Sequence, residues 1–469
     1  MKYFLYIIIT CLSIQKEINS TCECNILNEC INNNCKHKNF FPPTFLEIIG
    51  CFTIFLGSAF SNAGGIGGGG LLIPILILVL KFETHEAIPL SKIMIFSGAL
   101  TAFLMGLNKK HPYRKVIAID YNIAGVMIPM ILLGTMVGVS LNKFLPGPLI
   151  LFALTLVLVI NTYKTTKKGI SQFHKENQET IEKITEIVNF TNENHSINDD
   201  GKDDNEDDEE NMRLTKSKNE EDKEPDVIYK LSLEFNKDAE LFPRDKYGYI
   251  LLSFFGLVFI TLIKGSDNTP SVIGIANCSY QYWFIYLCFV PFCIFVTFQI
   301  SKIVNKEYNY RLSINYPYHS TDIQWSNHIL HLYPLYGLAG GILAGVLGIG
   351  GGLVLGPLLL DLGIHPIVST ATSNFLVLFT SSSTTLQFIF HGMLNINYGI
   401  VCVFCSTIGS YFGTIVIQSL LKSSGRSSYL IFTLAVVLGL STVLIPSYTF
   451  YQIFHQTQSN NVWHFGSLC

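Results

Sequence analysis

Twice along its length this chain interrupts apolar sequence with the pentad Gly-Ile-Gly-Gly-Gly, at Gly65–Gly69 and at Gly348–Gly352. In both copies a short apolar run follows, and a proline, Pro74 or Pro357, stands five residues after the last glycine. Each glycine costs about 1 kcal/mol against alanine in a helix interior, so three in a row open the helix and bare its amides. In a bilayer, bare amides persist only where they are buried in protein or line a polar cavity. A broken helix in matching positions of two halves points to a transporter's binding site. The competing reading is that the glycines only let helices pack closely, as in GxxxG contacts. Duplication in equivalent context favours the site.

Composition settles what surrounds the pentads. Of 469 residues, 49% are hydrophobic and 14% charged, and the mean hydropathy is +0.39. The acidic residues crowd into one central segment, leaving two nearly uncharged halves. A net charge of −3 gives no basic character for binding nucleic acid. The class expected is an all-α polytopic membrane protein, with the lipid bilayer as its main partner.

Residues 1–20 read as a signal peptide: Lys2, the apolar run from Tyr3 to Ile9, then a polar stretch to Ser20. A luminal or extracellular segment, 21–44, follows with Cys22, Cys24, Cys30 and Cys35. Behind a signal peptide these suit two disulfides; a site of four thiolates for a metal is the rival, and its spacing is not two CxxC pairs. Cys51, Cys278, Cys288, Cys293, Cys402 and Cys405 lie in or near apolar segments and read as small core hydrophobes.

The first transmembrane repeat covers 45–164. Its run from Leu71 to Leu80, at about 1.5 Å per residue, is too short to cross a ~30 Å core alone. The basic loop Asn108 to Lys115 and the cluster Lys164, Lys167 and Lys168 place their ends in the cytoplasm. Residues 165–246 form an acidic stretch with no apolar face, expected as a disordered cytoplasmic linker. Two connecting helices and a loop occupy 247–331, and Asn277-Cys278-Ser279 in that loop is a glycosylation acceptor pattern facing outside. The second transmembrane repeat covers 332–446, and a tail runs 447–469. The first glycine half begins outside and the second inside, so the halves are two inverted-topology repeats with glycine-broken helices. The count is about eight full spans plus two broken or re-entrant pairs, or up to about twelve spans. Gly134/Gly138 and Gly409/Gly413 read as packing contacts.

The candidate binding residues cluster near the pentads. Ser369 to Asn374, with Thr380 to Thr385 and Gln387, is hydroxyl-rich for a membrane helix. Thr372, Ser373 and Asn374 come soon after the second pentad and offer donors to an oxyanion, although hydroxyls also satisfy carbonyls of their own helix. In the first half the matching region is Ser91-Lys92. Lys92 either snorkels to the interface or is a cation buried beside an anion site, which an intramembrane charge suggests by default. The helix starts after Gly65, Gly67, Gly68 and Gly69, and after Gly348, Gly350, Gly351 and Gly352, present amides and the positive end of a dipole to a small anion. No Walker-type lysine follows the glycines, and no HExxH or paired histidines complete a metal site. Neither enzyme, metal nor cofactor is therefore expected.

In these residues the chain resembles the TauE/SafE sulfite-exporter family in its eukaryotic branch. The resemblance rests on Gly65–Gly69 with Pro74, Gly348–Gly352 with Pro357, and Ala371-Thr372-Ser373, joined by Ser91 to Ile95, His111-Pro112, Ile119-Asp120-Tyr121 and Pro129-Met130. It implies export of sulfite, sulfonates or related small anions, with the glycine elements around the substrate path. Ser91-Lys92 departs from the Thr-Ser type element of bacterial members, which puts substrate charge and coupling in question. The expectation is a secondary transporter that rocks its two repeats about a shared site, coupled to a proton or sodium ion or uncoupled. It would lie in a secretory-pathway membrane, the plasma membrane or an endomembrane. The alternative is a receptor or scaffold that senses through the cysteine segment and signals through the acidic linker.

Overall fold

In lipid every backbone polar group must find its partner within the protein, and a helix does this segment by segment. The computed structural model describes residues 28–456 apart from 32–33, 64–66, 108, 110, 112–115, 197–224, 239, 241, 267–268, 320–321, 425 and 427. The expected signal peptide, Cys22, Cys24, Gly65 and the end of the tail lie outside the described residues.

The helices are α1 (Phe45–Ala63), α2 (Gly69–Leu78), α3 (Thr84–Gly106), α4 (Tyr121–Phe144), α5 (Gly147–Ser196), α6 (Pro225–Asp238), α7 (Arg244–Lys264), α8 (Tyr280–Ser313), α9 (Asn327–Leu347), α10 (Gly352–Asp361), α11 (Pro366–Phe390), α12 (Ile396–Ser424) and α13 (Ser428–Gln456). Among the described residues 8 helices, α1, α3, α4, α5, α7, α8, α9 and α12, are long and apolar enough to cross a membrane. The chain is thus an all-α polytopic membrane protein. The short runs after the pentads become α2 and α10, ten residues each. α11 has 25 residues, but its hydroxyls keep it out of the most apolar set. Phe255 and Phe259 of α7 and Phe284 and Phe295 of α8 point outward, as a lipid-facing belt requires.

Two features depart from the sequence reading. The segment 165–246 is helical at both ends, because α5 runs on to Ser196 and α6 occupies Pro225–Asp238. Tertiary contact orders α6, which composition alone does not reveal. Cys278 is not a core thiol: it is disulfide-bonded in the loop between α7 and α8, beside exposed Asn277. Cys51, Cys288, Cys293, Cys402 and Cys405 are free, and of these Cys293 and Cys402 are buried.

Before α1 a two-stranded antiparallel hairpin, β1 (Asn28–Ile31) and β2 (Asn34–His37), sets Cys30 opposite Cys35. The residues after it dock on the bundle. His37 Nε2 donates to the Leu80 carbonyl at 2.9 Å, its ring stacks on Phe82 at 3.9 Å, and Asn397 donates to Asn39 at 2.9 Å. Burial lowers the pKa of His37 and holds it neutral. Glu47, fully buried, closes a capping box by accepting from Thr44 N at 2.5 Å and Thr44 Oγ1 at 2.6 Å. It also accepts from the Tyr398 hydroxyl and pairs with Lys38 at 3.2 Å.

The GxxxG glycines are packing contacts, as expected. Methyl groups on Gly134 and Gly138 of α4 would collide with the Leu338 and Ile342 carbonyls of α9. On Gly409 and Gly413 of α12 they would meet the Phe55 and Ala59 carbonyls of α1. Ser58 also donates to Ser406 at 3.1 Å across the second pair. The apolar interior divides into two clusters. One draws mainly on α1, α2, α3, α5, α12 and α13, the other mainly on α4, α7, α8, α9 and α11, and α3, α4, α9, α10 and α11 place residues in both.

Candidate functional site

Both pentads break their helices. α1 ends at Ala63; Gly67 and Gly68 then take φ of 79° and 85°, where a side chain would be strained, and α2 begins at Gly69. α9 ends at Leu347, Gly348 takes φ of 71°, and α10 begins at Gly352. The two breaks meet backbone to backbone. A methyl on Gly69 would lie 2.6 Å from Ile349 Cα and 2.8 Å from Gly350 N, so glycine is what permits the approach. The first N–H groups of α2 and α10 have no partner within their own helices.

Side chains from the first half hold the carbonyls of the second break. Lys92 Nζ donates to the Ile349 carbonyl at 2.7 Å. Ser91 Oγ lies 2.7 Å from the Ile88 carbonyl and 3.2 Å from that of Gly348. Asn142 Nδ2 donates to the Val346 carbonyl at 2.6 Å. Lys92 is fully buried, and no carboxylate among the described residues forms an ion pair with it. It does not snorkel.

Thr372, Ser373 and Asn374 are all buried on α11 but do not gather at the break. Thr372 Oγ1 accepts from Asp120 N at 3.0 Å, at the head of α4. Ser373 faces Gly356, on α10 beyond the break: a methyl there would lie 3.5 Å from Ser373 Oγ. Ser373 Oγ and Asn374 Oδ1 have no hydrogen-bond partner among the described residues. The hydroxyl beside Gly351 belongs to Thr380, 3.0 Å from where a methyl on Gly351 would be. Sequence reasoning missed Asn142 and Asn62. Asn62, three residues before the Gly65 pentad, donates to Ser410 Oγ at 2.7 Å and leaves Oδ1 unpartnered among the described residues. Both carried the signal of an isolated amide in an apolar helix.

A cavity of about 340 Å³ lies away from the breaks, at the heads of α4, α7 and α11. Asp120, Lys246, Glu307, Arg311, Asp322 and His365 are among its walls. Asp120 caps α4 by accepting from Asn122 N at 2.8 Å and Ile123 N at 3.2 Å. Burial raises its pKa, and those two N–H groups oppose the rise. Burial, with His111 nearby, drives the His365 pKa down to about 4. Asp361, the last residue of α10, is exposed and pairs with Lys164 at 3.6 Å.

With this geometry in hand, comparison with known proteins supplies the family. The pattern described as "Sulfite exporter TauE/SafE" matches residues 49–188 and 251–461. The chain is 28% identical over 424 residues to "Sulfite exporter TauE/SafE family protein 1" of Arabidopsis thaliana, covering 90% of this chain and 88% of the relative. It is 29% identical over 437 residues to family protein 2 of the same plant, covering 91% and 88%. No solved structure matches. Most of the chain, including both glycine breaks and Lys92, falls within the matched blocks, and the protein belongs to the sulfite exporter TauE/SafE family of membrane transporters.

Proposed function

We propose that the protein moves a small sulfur-containing anion, sulfite or a sulfonate, through the bilayer by alternating access, with the substrate held where the two glycine breaks meet. The observation that carries this is Lys92: a fully buried lysine side chain bonded to a backbone carbonyl, with no carboxylate paired to it among the described residues. Holding its charge there without a counter-charge is costly. An anion entering beside the break supplies that counter-charge and favours the ammonium form.

In this reading the amides of Gly65, Gly67, Gly68 and Gly69 and of Gly348, Gly350, Gly351 and Gly352 supply donors, as helix starts do for anions. Ser91 orients the anion from α3, and Thr372, Ser373 and Asn374 line its route along α11. The unpartnered Ser373 Oγ and Asn374 Oδ1 support a polar route there. Pro74 and Pro357 set the short helices behind the breaks. The two halves are inverted repeats, a reading supported by their matching sequence of broken pair, long helix and GxxxG helix. A proton or sodium ion is the coupling ion if the carrier is driven. We also assign a cleaved signal peptide, disulfides among Cys22, Cys24, Cys30 and Cys35, glycosylation at Asn277, and a membrane of the secretory pathway.

The test is uptake by purified protein in sealed vesicles, with sulfite as substrate and sulfate, thiosulfate and a carboxylate as competitors. Lys92→Met keeps the unbranched stem of the side chain and removes its charge. A charge-assisted bond is worth about 1.5–3 kcal/mol, so apparent sulfite affinity should fall roughly tenfold to a hundredfold. Sulfite uptake with unchanged affinity in this variant would remove Lys92 from the site. Wild-type vesicles that move none of the anions would sink transport itself.

A further inference from the structure

The blocks matched to the family leave out residues 189–250, and in that gap stands α6. Among the described side chains of α6, a charge pair reaches the membrane helices. Its Glu234 is 2% exposed, whereas Tyr229 is 69% and Leu233 48% exposed. Arg311 Nε donates to Glu234 Oε2 at 3.1 Å. Arg311 Nη2 donates to Glu307 Oε1 at 2.6 Å, one turn back on α8. Glu307 in turn pairs with Lys246 of α7 at 2.6 Å. The series Glu234, Arg311, Glu307, Lys246 thus runs from the linker helix across α8 to α7.

Three of these, Arg311, Glu307 and Lys246, line the 340 Å³ cavity. Lys237 of α6 and Glu240 just after it line it together with Lys246, Glu307 and Arg311. Asp120 and Val368 line it from the membrane bundle, and Asp120 N reaches Thr372 on α11. The cavity therefore has a wall inside the matched blocks and a wall outside them. Twenty-eight residues, 197–224, lie between α5 and α6, and five, 239–243, between α6 and α7.

We propose that α6 is a detachable lid on this cavity, latched by Glu234 in Arg311. A latch made of one charge pair, with Tyr229 and Leu233 left exposed, closes the cavity reversibly. That the lid meters anion flux rests on the function proposed above; that it covers the cavity does not. The test accordingly reads access, not transport. Val368→Cys places a thiol in the cavity of the full chain, and a membrane-impermeant maleimide is applied to the face carrying residues 197–224, with labelling of the parent chain subtracted. Glu234→Lys should raise the labelling rate at least tenfold and speed hydrogen exchange over residues 225–238. Deletion of 225–238 should raise labelling as far. Equal labelling with and without α6 would overturn the lid, and α6 amides as protected in Glu234→Lys as in the parent would overturn the latch. A chain that carries no anion would still give the labelling result, so the two failures are distinguishable.

Discussion

Gly69→Ala tests whether the two breaks rest on one another. The added methyl would lie 2.6 Å from Ile349 Cα, 2.8 Å from Gly350 N and 3.0 Å from the Gly348 carbonyl oxygen. Carbon atoms pack at about 3.5–4.0 Å, so the breaks must part by about 1 Å. None of these atoms ends a flexible side chain, so nothing can swing aside. Overpacking of this kind costs about 1–3 kcal/mol, and alanine's better helix propensity offsets at most ~1 kcal/mol of it. The expected net loss is about 1–2 kcal/mol of stability. The displacement also falls on Ile349, whose carbonyl holds Lys92. Gly70→Ala is the control, because its methyl meets side-chain ends and no backbone: Leu353 Cδ1 at 2.7 Å, which a rotamer change relieves, Ser441 Oγ at 3.3 Å and Leu158 Cδ2 at 3.5 Å. Thermal unfolding in detergent and sulfite uptake in vesicles are measured on both. Gly69→Ala should melt a few degrees lower and lose most uptake, with Gly70→Ala close to the parent. A Gly69→Ala protein that melts and transports like the parent would refute the argument.

Asn142→Leu leaves the Val346 carbonyl without its donor at the end of α9. It should cost about 1–3 kcal/mol, read as a lowered melting temperature. The buried His365 has a pKa of about 4 against an ordinary 6.5, so the folded chain keeps it neutral where the unfolded chain takes up a proton. Its stabilisation is complete above about pH 6.5 and is lost as pH falls toward 4, by ~3 kcal/mol at most. His365→Asn keeps an N-cap acceptor for Ile367 N and should flatten the fall in melting temperature between pH 7 and pH 5.

Much of this was written in the chain because the features that matter are local. A glycine pentad breaks a helix wherever it stands, and ten apolar residues make a short helix in any context. Gly134/Gly138 and Gly409/Gly413 announce their own packing. Lys92 stood out because a charge in an apolar run needs a reason. What stayed hidden was tertiary. Asn142 meets the end of α9 only because α4 and α9 are pressed together. Thr372 was grouped with the pentad by nearness in sequence, yet α11 advances ~12 Å between positions 372 and 380, and it is Thr380 that reaches Gly351. α6 lay in sequence with the composition of a spacer, and Glu234 gains its order from Arg311, 77 residues away.

The packing bears on which parts can move. The first helix of each half lies against the GxxxG helix of the other, α1 on α12 and α9 on α4, with glycine on carbonyl and no slack between them. Neither half can therefore rock as a sequence-continuous body. The two apolar clusters suggest another division, with α1, α2, α5, α12 and α13 on one side and α7 and α8 on the other, while α3, α4, α9, α10 and α11 place residues in both. On α10, Leu353 belongs to the cluster with α1 and α12, Leu355 and Leu359 to the cluster with α4 and α7. A carrier that opens its site to each side in turn should part along this seam, which runs through the glycine breaks. Two native thiols test the division. Cys51 on α1 and Cys405 on α12 are neighbours and both free, and they lie within one body. Bridging them with mercuric ion should leave sulfite uptake within about twofold of the untreated protein, since a twofold change is under ~0.5 kcal/mol. Treated Cys405→Ser protein is the control for mercury elsewhere. If bridging arrests uptake in the parent and not in that control, α1 and α12 move apart during transport, and the seam is not where the carrier divides.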